Sequence, residues 1–243
     1  MPLLHGAALR EAFDRSAGAY DRLVGANPGY PRHLRLSARR LALPNRGAGG
    51  RVLDLGCGTG ASTAALLSAA PRAEIVAVDS SAGMLERAAA KQWNGDVSFV
   101  HASAEELPGA GVRGPFDAVF AAYLVRNVSS PDAVLRSVRA MMRPGGRLAV
   151  HEYALSGGSR HRLIWSAVCW GVIIPSGSIG PGGSGLYQHL WRSVLEFDTA
   201  SAFRDRLAAT GFDSVRMASV PGWQRGIVHT FVARRPEADT TEL

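Results

Sequence analysis

The segment Val52-Leu53-Asp54-Leu55-Gly56-Cys57-Gly58-Thr59-Gly60 constrains this chain more than any other. An apolar strand runs straight into a turn with glycine at every second position, and an acid stands two residues before the first glycine. Glycines let the backbone bend sharply there. They also bring its N–H groups, and the N-terminus of the following helix, close to a ligand where a Cβ would obstruct. This is the build of a nucleotide-binding turn. Gly56, Gly58 and Ala61 also satisfy the degenerate pattern G-x-G-x-x-G/A, so glycine spacing alone does not choose among nucleotide-bearing cofactors.

The elements around the turn narrow the fold. Leu9, Phe13, Ala17, Tyr20 and Val24 recur at helical intervals and predict an N-terminal helical cap. Strand patterns at 51–55, 75–79, 98–101 and 116–120 alternate with helical patterns at 61–70, 82–93 and 131–142, which is the order of parallel βαβ units. The turn Arg143-Pro144-Gly145-Gly146 stops the last helix and leads into a strand at 147–152. Helical patterns follow at 186–197 and 199–210. Two final strand patterns, 214–219 and 227–234, are joined too closely for a parallel crossover and are predicted to pair antiparallel.

At 243 residues, 47% of them hydrophobic, the chain can bury the core of one α/β domain. The net charge of +7 raises an anionic partner. Lys91 is the only lysine, however, the arginines are scattered, and no basic stripe interleaved with aromatics is present, so the charge reads as a solvated surface and no nucleic-acid partner is expected. Cys57 and Cys169 have no metal-ligand spacing, and no metal is expected. A reducing, cytoplasmic compartment fits two lone cysteines and a start without a basic-then-apolar leader. The longest apolar run, 163–175, is shorter than the ~20 residues that span a bilayer.

Asp79 ends the second strand about 20 residues past the turn, where a carboxylate takes both ribose hydroxyls. Nicotinamide and S-adenosylmethionine (AdoMet) sites both use such an acid. Five parallel-type strands closing with an antiparallel hairpin resemble the class I AdoMet-dependent methyltransferase sandwich, whereas a dinucleotide domain continues into a second mononucleotide half. The stretches VLDLGCGTG, VAVDSSAGML, ASAEELP, FDAVFAAYLVRNV and LRSVRAMMRPGGRLAVHEY resemble the ubiquinone/menaquinone biosynthesis C-methyltransferase family (demethylmenaquinone methyltransferase). The likeness continues in Phe13-Asp14 to Tyr20-Asp21, in Leu124-Val125-Arg126-Asn127-Val128, in the helix from Leu186 to Val194 and in Ala209-Thr210-Gly211-Phe212. It covers about residues 12–234 and is most specific in the first 153.

The resemblance implies a Rossmann-like α/β fold with a mostly parallel seven-stranded sheet. It also implies a single methyltransferase domain over residues 1–235: a helical cap (1–45), an AdoMet-binding core (46–153), an acceptor-side lid and helices (154–200), and a C-terminal helix and hairpin (201–235), with 236–243 a loose tail. By the same resemblance Gly56, Gly58 and Gly60 line the methionine part of AdoMet, Asp54 faces its ammonium directly or through water, Asp79 holds the ribose, Met84 packs on the adenine and Tyr20 closes from the cap. Met84 and Tyr20 also lie on apolar helical stripes, where a plain core role is open to them. At the adenine edge, where many relatives carry an acid, this chain has Ser103-Ala104.

Methyl transfer from a sulfonium is an in-line displacement that needs placement and dryness rather than a metal. A ring carbon of a hydroquinone becomes the nucleophile once a phenolic proton, of pKa near ~10, is taken. Arg126 and Asn127 match the family's active-site pair, to stabilise the phenolate or order a water and to orient the acceptor oxygen. His151 and His189 are further proton acceptors, each either lining the cleft or serving as a structural histidine. Neighbouring strand residues face opposite ways, so His151 and Glu152 are not expected to share the cleft. The apolar run 163–175 is expected to wall a lipophilic acceptor, with Trp165 and Trp170 as contacts and Tyr187 and His189 on the same side. A core helix, a dimer interface and a peripheral membrane contact are the other uses open to it. The expected activity is C-methylation of a lipophilic quinol-like acceptor. The alternatives are O-, N- or C-methylation in specialised metabolism and AdoMet binding without transfer.

Overall fold

The computed structural model describes residues 3–25, 29–178 and 185–237, the side chains of 19–25 and 178 excepted. In chain order the elements are α1 (Gly6–Gly25), α2 (Gly29–Arg40), β1 (Arg51–Leu55), α3 (Ala61–Ala69), β2 (Glu74–Asp79), α4 (Ala82–Ala89), β3 (Asp96–His101), β4 (Phe116–Ala122), α5 (Pro131–Ala140), β5 (Met142–Tyr153), α6 (Gly158–Val168), α7 (Ile174–Ser178), α8 (Gly185–Glu196), α9 (Ala200–Ala209), β6 (Asp213–Ser219) and β7 (Val228–Arg234). A wide helical turn, Cys169–Ile173, joins α6 to α7.

The seven strands form one sheet in the order β3-β2-β1-β4-β5-β7-β6. β1 to β5 run parallel, and β7 enters antiparallel between β5 and β6. This is the expected class I methyltransferase sandwich. Alternation along each strand divides the core. Val52, Ala118, Phe120 and Ala149 pack under α2 and α3 with Leu34 and Leu66, while Leu53, Val119, Leu148 and Val150 pack under α5 and α9 with Leu135, Phe203 and Leu207. β1 and β4 lie at the middle of the sheet, so the turns leaving their carboxyl ends sit side by side, at the point where the strand order reverses direction.

The predicted cap is α1, and α2, which the apolar spacing did not announce, adds a second helix to it. The run 163–175 folds as the end of α6, the wide turn and the start of α7. Among the described residues no helix is long and apolar enough to cross a membrane.

Candidate active site

β1 stops where Gly56 N–H and Cys57 N–H both turn to the carbonyl of Val78, and Gly60 N–H closes the turn on the carbonyl of Cys57. The turn is locked to β2 by Asp79, whose Oδ2 accepts from Gly58 N–H at 2.7 Å while Oδ1 accepts from Ser81 N–H at 2.8 Å. Gly58 has φ +55° and open space where a Cβ would stand. Gly60 is different. Its φ is +92°, and a Cβ there would meet the Trp93 ring at 2.6 Å, so this glycine lets α4's flank pack against the start of α3.

A cavity of about 260 Å³ opens over this turn. Of the residues predicted for the site, Gly56, Gly58, Asp79, Met84, Ser103, Ala104 and Asn127 line it. Tyr30 and Tyr123 line it too, stacked with ring centroids 5.5 Å apart and planes 18° apart. Neither was anticipated. Tyr30 belongs to the unannounced α2. Tyr123 follows directly on the apolar run of β4, and an aromatic at the carboxyl end of a central strand is the signal that would have found it.

Asp54, expected to face the cofactor, does not line the cavity; it is fully buried, with Oδ2 accepting from Ser62 Oγ (2.9 Å) and Thr63 Oγ1 (2.6 Å). Its Oδ1 is buried with no hydrogen-bond partner. Burial pushes the carboxyl up to about 7, against the pull of the two hydroxyls, with Asp79 adding to the rise. A buried acid with one oxygen unmet fits a cationic group placed above it, and on this observation the residues suit AdoMet. Asp79 is likewise raised, first by burial.

Several expected contacts lie elsewhere. Gly60 packs on Trp93 and does not line the cavity. Arg126 forms a buried pair with Glu152, Nη1 to Oε1 2.5 Å, and also donates from Nη1 to the Tyr123 carbonyl and from Nε to Ser193 Oγ. That leaves its guanidinium inside the protein rather than in the cavity. His151 is on the Ala149 face of β5, beneath α2, where alternation alone puts it. It is fully buried and bound to Ser37 and Tyr123, and neither it nor Glu152 lines the cavity. Trp165 is a core residue, 0% exposed, its indole N–H donating to the Trp191 carbonyl. Trp170 stands 53% exposed on the surface against Trp191. Tyr187 is buried in the cluster with Trp165, Tyr153 and Val228, its ring where a side chain on Gly177 would go. Tyr20 lies on α1, but its side chain falls outside the described residues, as does the tail beyond 237.

His189 stands one shell back. Leu4 N–H donates to its Nδ1 at 3.1 Å, so its proton is on Nε2, which faces Asn127 Oδ1 at 3.3 Å. Asn127 Nδ2 donates in turn to the Tyr123 carbonyl at 3.1 Å. The amide at the cavity edge is thereby fixed in orientation.

A methyltransferase-domain model matches residues 52–146. Over 223 residues the chain is 33% identical to the ubiquinone/menaquinone biosynthesis C-methyltransferase of Syntrophotalea carbinolica, covering 89% of this chain and 91% of that one. The chain belongs to this family. The demethylmenaquinone methyltransferases of Clavibacter sepedonicus (32% identity, 88% of each chain) and Thermus thermophilus (33%, 84% of this chain and 92% of that one) are similar to it over nearly the same span. As a member of the C-methyltransferase family it is an AdoMet-dependent methyltransferase. Solved structures share the fold at low identity: the [4+2]-cyclase SpnF at TM-score 0.68 and 19% identity (98% of this chain, 99% of that one), and a Haloferax volcanii putative methyltransferase bound to its Trm112 activator at 0.66 and 15% (93% and 97%).

Proposed function

We propose that this enzyme methylates a ring carbon of a lipophilic quinol. The observation that carries the reading is the stacked pair Tyr30–Tyr123, two parallel rings lining the same cavity as the glycine turn and Asp79. A flat aromatic acceptor is what such a pair accommodates, and the names of the relatives agree.

AdoMet, when bound, supplies an electrophilic methyl group on a sulfonium. Gly56 and Gly58 offer backbone to its amino-acid end, and Asp54 Oδ1 receives the ammonium directly or through water. The Asp79 carboxylate, which also accepts the Gly58 and Ser81 N–H groups, would hold the ribose. Met84, Ser103 and Ala104 would border the adenine. Asn127, its amide oxygen engaged by His189 and one N–H on the Tyr123 carbonyl, has a second N–H to offer the acceptor oxygen. Arg126 acts through the main chain it holds at Tyr123, as a positioning residue. The wall formed by these side chains excludes water from the transfer.

Incubation with methyl-labelled AdoMet and reduced demethylated naphthoquinols, benzoquinols and small phenols tests the reading. Label on a quinol ring carbon is expected. Label only on oxygen or nitrogen, or AdoMet binding with no labelled product, overturns it. The exposed apolar side chains Leu163, Trp170 and Val172 (72%, 53% and 60%), on a segment that also carries exposed Arg160 and Arg162, suit contact with the membrane that would hold a prenylated acceptor. Co-sedimentation with anionic vesicles that is lost in Leu163→Ser/Trp170→Ser is expected. A concentration-dependent dimer lost in the same variant assigns that segment to self-association instead.

A further inference from the structure

The hydroxyl of Tyr123 is held from inside the protein. His151 Nε2 lies 2.9 Å from it, His151 Nδ1 2.7 Å from Ser37 Oγ, and Ser37 Oγ 2.6 Å from Thr230 Oγ1, to which Arg40 Nη1 donates at 2.6 Å. The chain thus crosses from α2 through β7 and β5 to the end of β4. Arg40 fixes one step, because a guanidinium only donates and Thr230 must accept from it. With Thr230 donating onward to Ser37 and Ser37 to His151 Nδ1, the imidazole proton lies on Nε2, aimed at the Tyr123 oxygen.

His151 is neutral in this arrangement. Burial drives it down to about 3, and His33, Arg40 and His229, the charged and titratable groups around it, push the same way. A phenol whose oxygen accepts such a bond is a stronger donor of its own proton, because successive hydrogen bonds polarise one another. Tyr123 itself has φ +57°, a left-handed conformation unusual outside glycine. The fold therefore holds this ring in a costly backbone geometry at the edge of the cavity.

We propose that Tyr123 recognises the acceptor's ring oxygen, donating its hydroxyl proton in a hydrogen bond to the phenolate that forms when the ring is activated, with His151, Ser37 and Thr230 as positioning residues that direct that bond. This rests on the reading of the cavity as taking a hydroxylated aromatic acceptor. It adds a selection: aromatic acceptors with a free hydroxyl beside the methylated carbon are preferred over those whose oxygen is capped.

The test uses 1-naphthol with S-adenosylhomocysteine on the full chain, so that nothing turns over, and follows naphtholate absorbance against pH. In Tyr123→Phe the ionisation constant of bound naphthol is expected to fall about tenfold relative to the native protein. Ser37→Ala, which leaves Tyr123 in place and does not line the cavity, is expected to shift it in the same direction by less. S-adenosylhomocysteine affinity is expected to stay unchanged in both. With a turning-over quinol, kcat of Tyr123→Phe falls roughly tenfold while KM stays within about threefold. Naphthol that binds the native protein and Tyr123→Phe with the same ionisation overturns the inference alone. A Ser37→Ala protein that titrates like the native one removes the chain and leaves Tyr123. Naphthol that does not bind the native protein overturns the phenolic-acceptor reading and this inference with it.

Discussion

Arg126 Nη1 and Glu152 Oε1 meet at 2.5 Å with side chains 6% and 0% exposed. The pair ties the turn after β4 to the end of β5, and Glu152 Oε1 also accepts from Tyr153 N–H at 2.9 Å. Removing one member leaves a buried charge uncompensated, so Glu152→Gln is expected to lower stability by about 3–5 kcal/mol. A double-mutant cycle with Arg126→Met in urea denaturation should give a coupling of about 1–3 kcal/mol. Purely additive losses would mean that the two side chains act independently.

Asp54 predicts a pH signature. Its folded-state value of about 7 lies above the ordinary carboxyl value of 3.8. Between these the folded protein keeps the proton that the unfolded chain has lost, and above pH 7 the acid must ionise in a buried site. Its contribution to the stability of the ligand-free protein therefore falls as pH rises from about 4 to 7, by about 1.4 kcal/mol per unit at most. Asp54→Asn removes this slope, so its ligand-free melting temperature should exceed the native one at pH 8 by more than at pH 5. Where AdoMet places an ammonium against Oδ1, binding expels the proton below pH 7. Calorimetry in buffers of different ionisation heat should detect that release near pH 6.5, and lose it in Asp54→Asn.

Gly58 and Gly60 separate binding from packing. Alanine at Gly60 meets Trp93, whose indole N–H is fixed on the Ala88 carbonyl, and sits at φ +92°. A loss of about 1–3 kcal/mol in stability is expected, with little change in AdoMet affinity once folded. Alanine at Gly58 meets open space in the protein but intrudes on the cavity. Its stability cost is expected to be smaller, and its AdoMet affinity at least tenfold weaker by calorimetry. Equal affinities in the two variants would put the amino-acid end of the cofactor elsewhere.

Trp165 and Trp170, five residues apart on one apolar run, should respond oppositely. Trp165→Ala empties a site in the core and is expected to cost about 3–5 kcal/mol. Trp170→Ala changes a half-exposed side chain and should stay within about 1 kcal/mol. Urea midpoints compare the two directly.

These two tryptophans show where the sequence could be read and where it could not. Strand positions, the glycine turn and the antiparallel hairpin were legible because each follows from a short apolar run bounded by turn residues or from local turn chemistry. Met84 and Asn127, which line the cavity, were singled out only through the family resemblance. Which face a residue in the second half presents depends on partners far away in the chain. Arg126 is turned inward by Glu152, 26 residues on, and His151, which alternation puts on its face of β5, is covered there by α2, whose Ser37 lies 114 residues back. Tyr30 went unseen because α2 is marked less by apolar residues than by arginines, and its burial is decided by β5 and α3 beneath it.

His189 carries the last expectation. Burial lowers it to about 4, with Arg126 and then His5 adding to the effect. It is therefore neutral at pH 7, and its Nδ1 accepts from Leu4 while Nε2–H holds Asn127. Because the folded value lies below the ordinary 6.5, its contribution to stability is complete above pH 6.5 and is lost as pH falls toward 4, where protonation takes away the acceptor at Nδ1. The slope is at most about 1.4 kcal/mol per pH unit, and comparing pH melts of the native protein and His189→Gln isolates it from the opposite slope of Asp54. In the same variant the Asn127 amide loses its fixed orientation. Methyl transfer should drop roughly tenfold in kcat while AdoMet affinity stays within about twofold. A variant that loses cofactor affinity instead would place His189 on the cofactor side of the cavity rather than behind the acceptor.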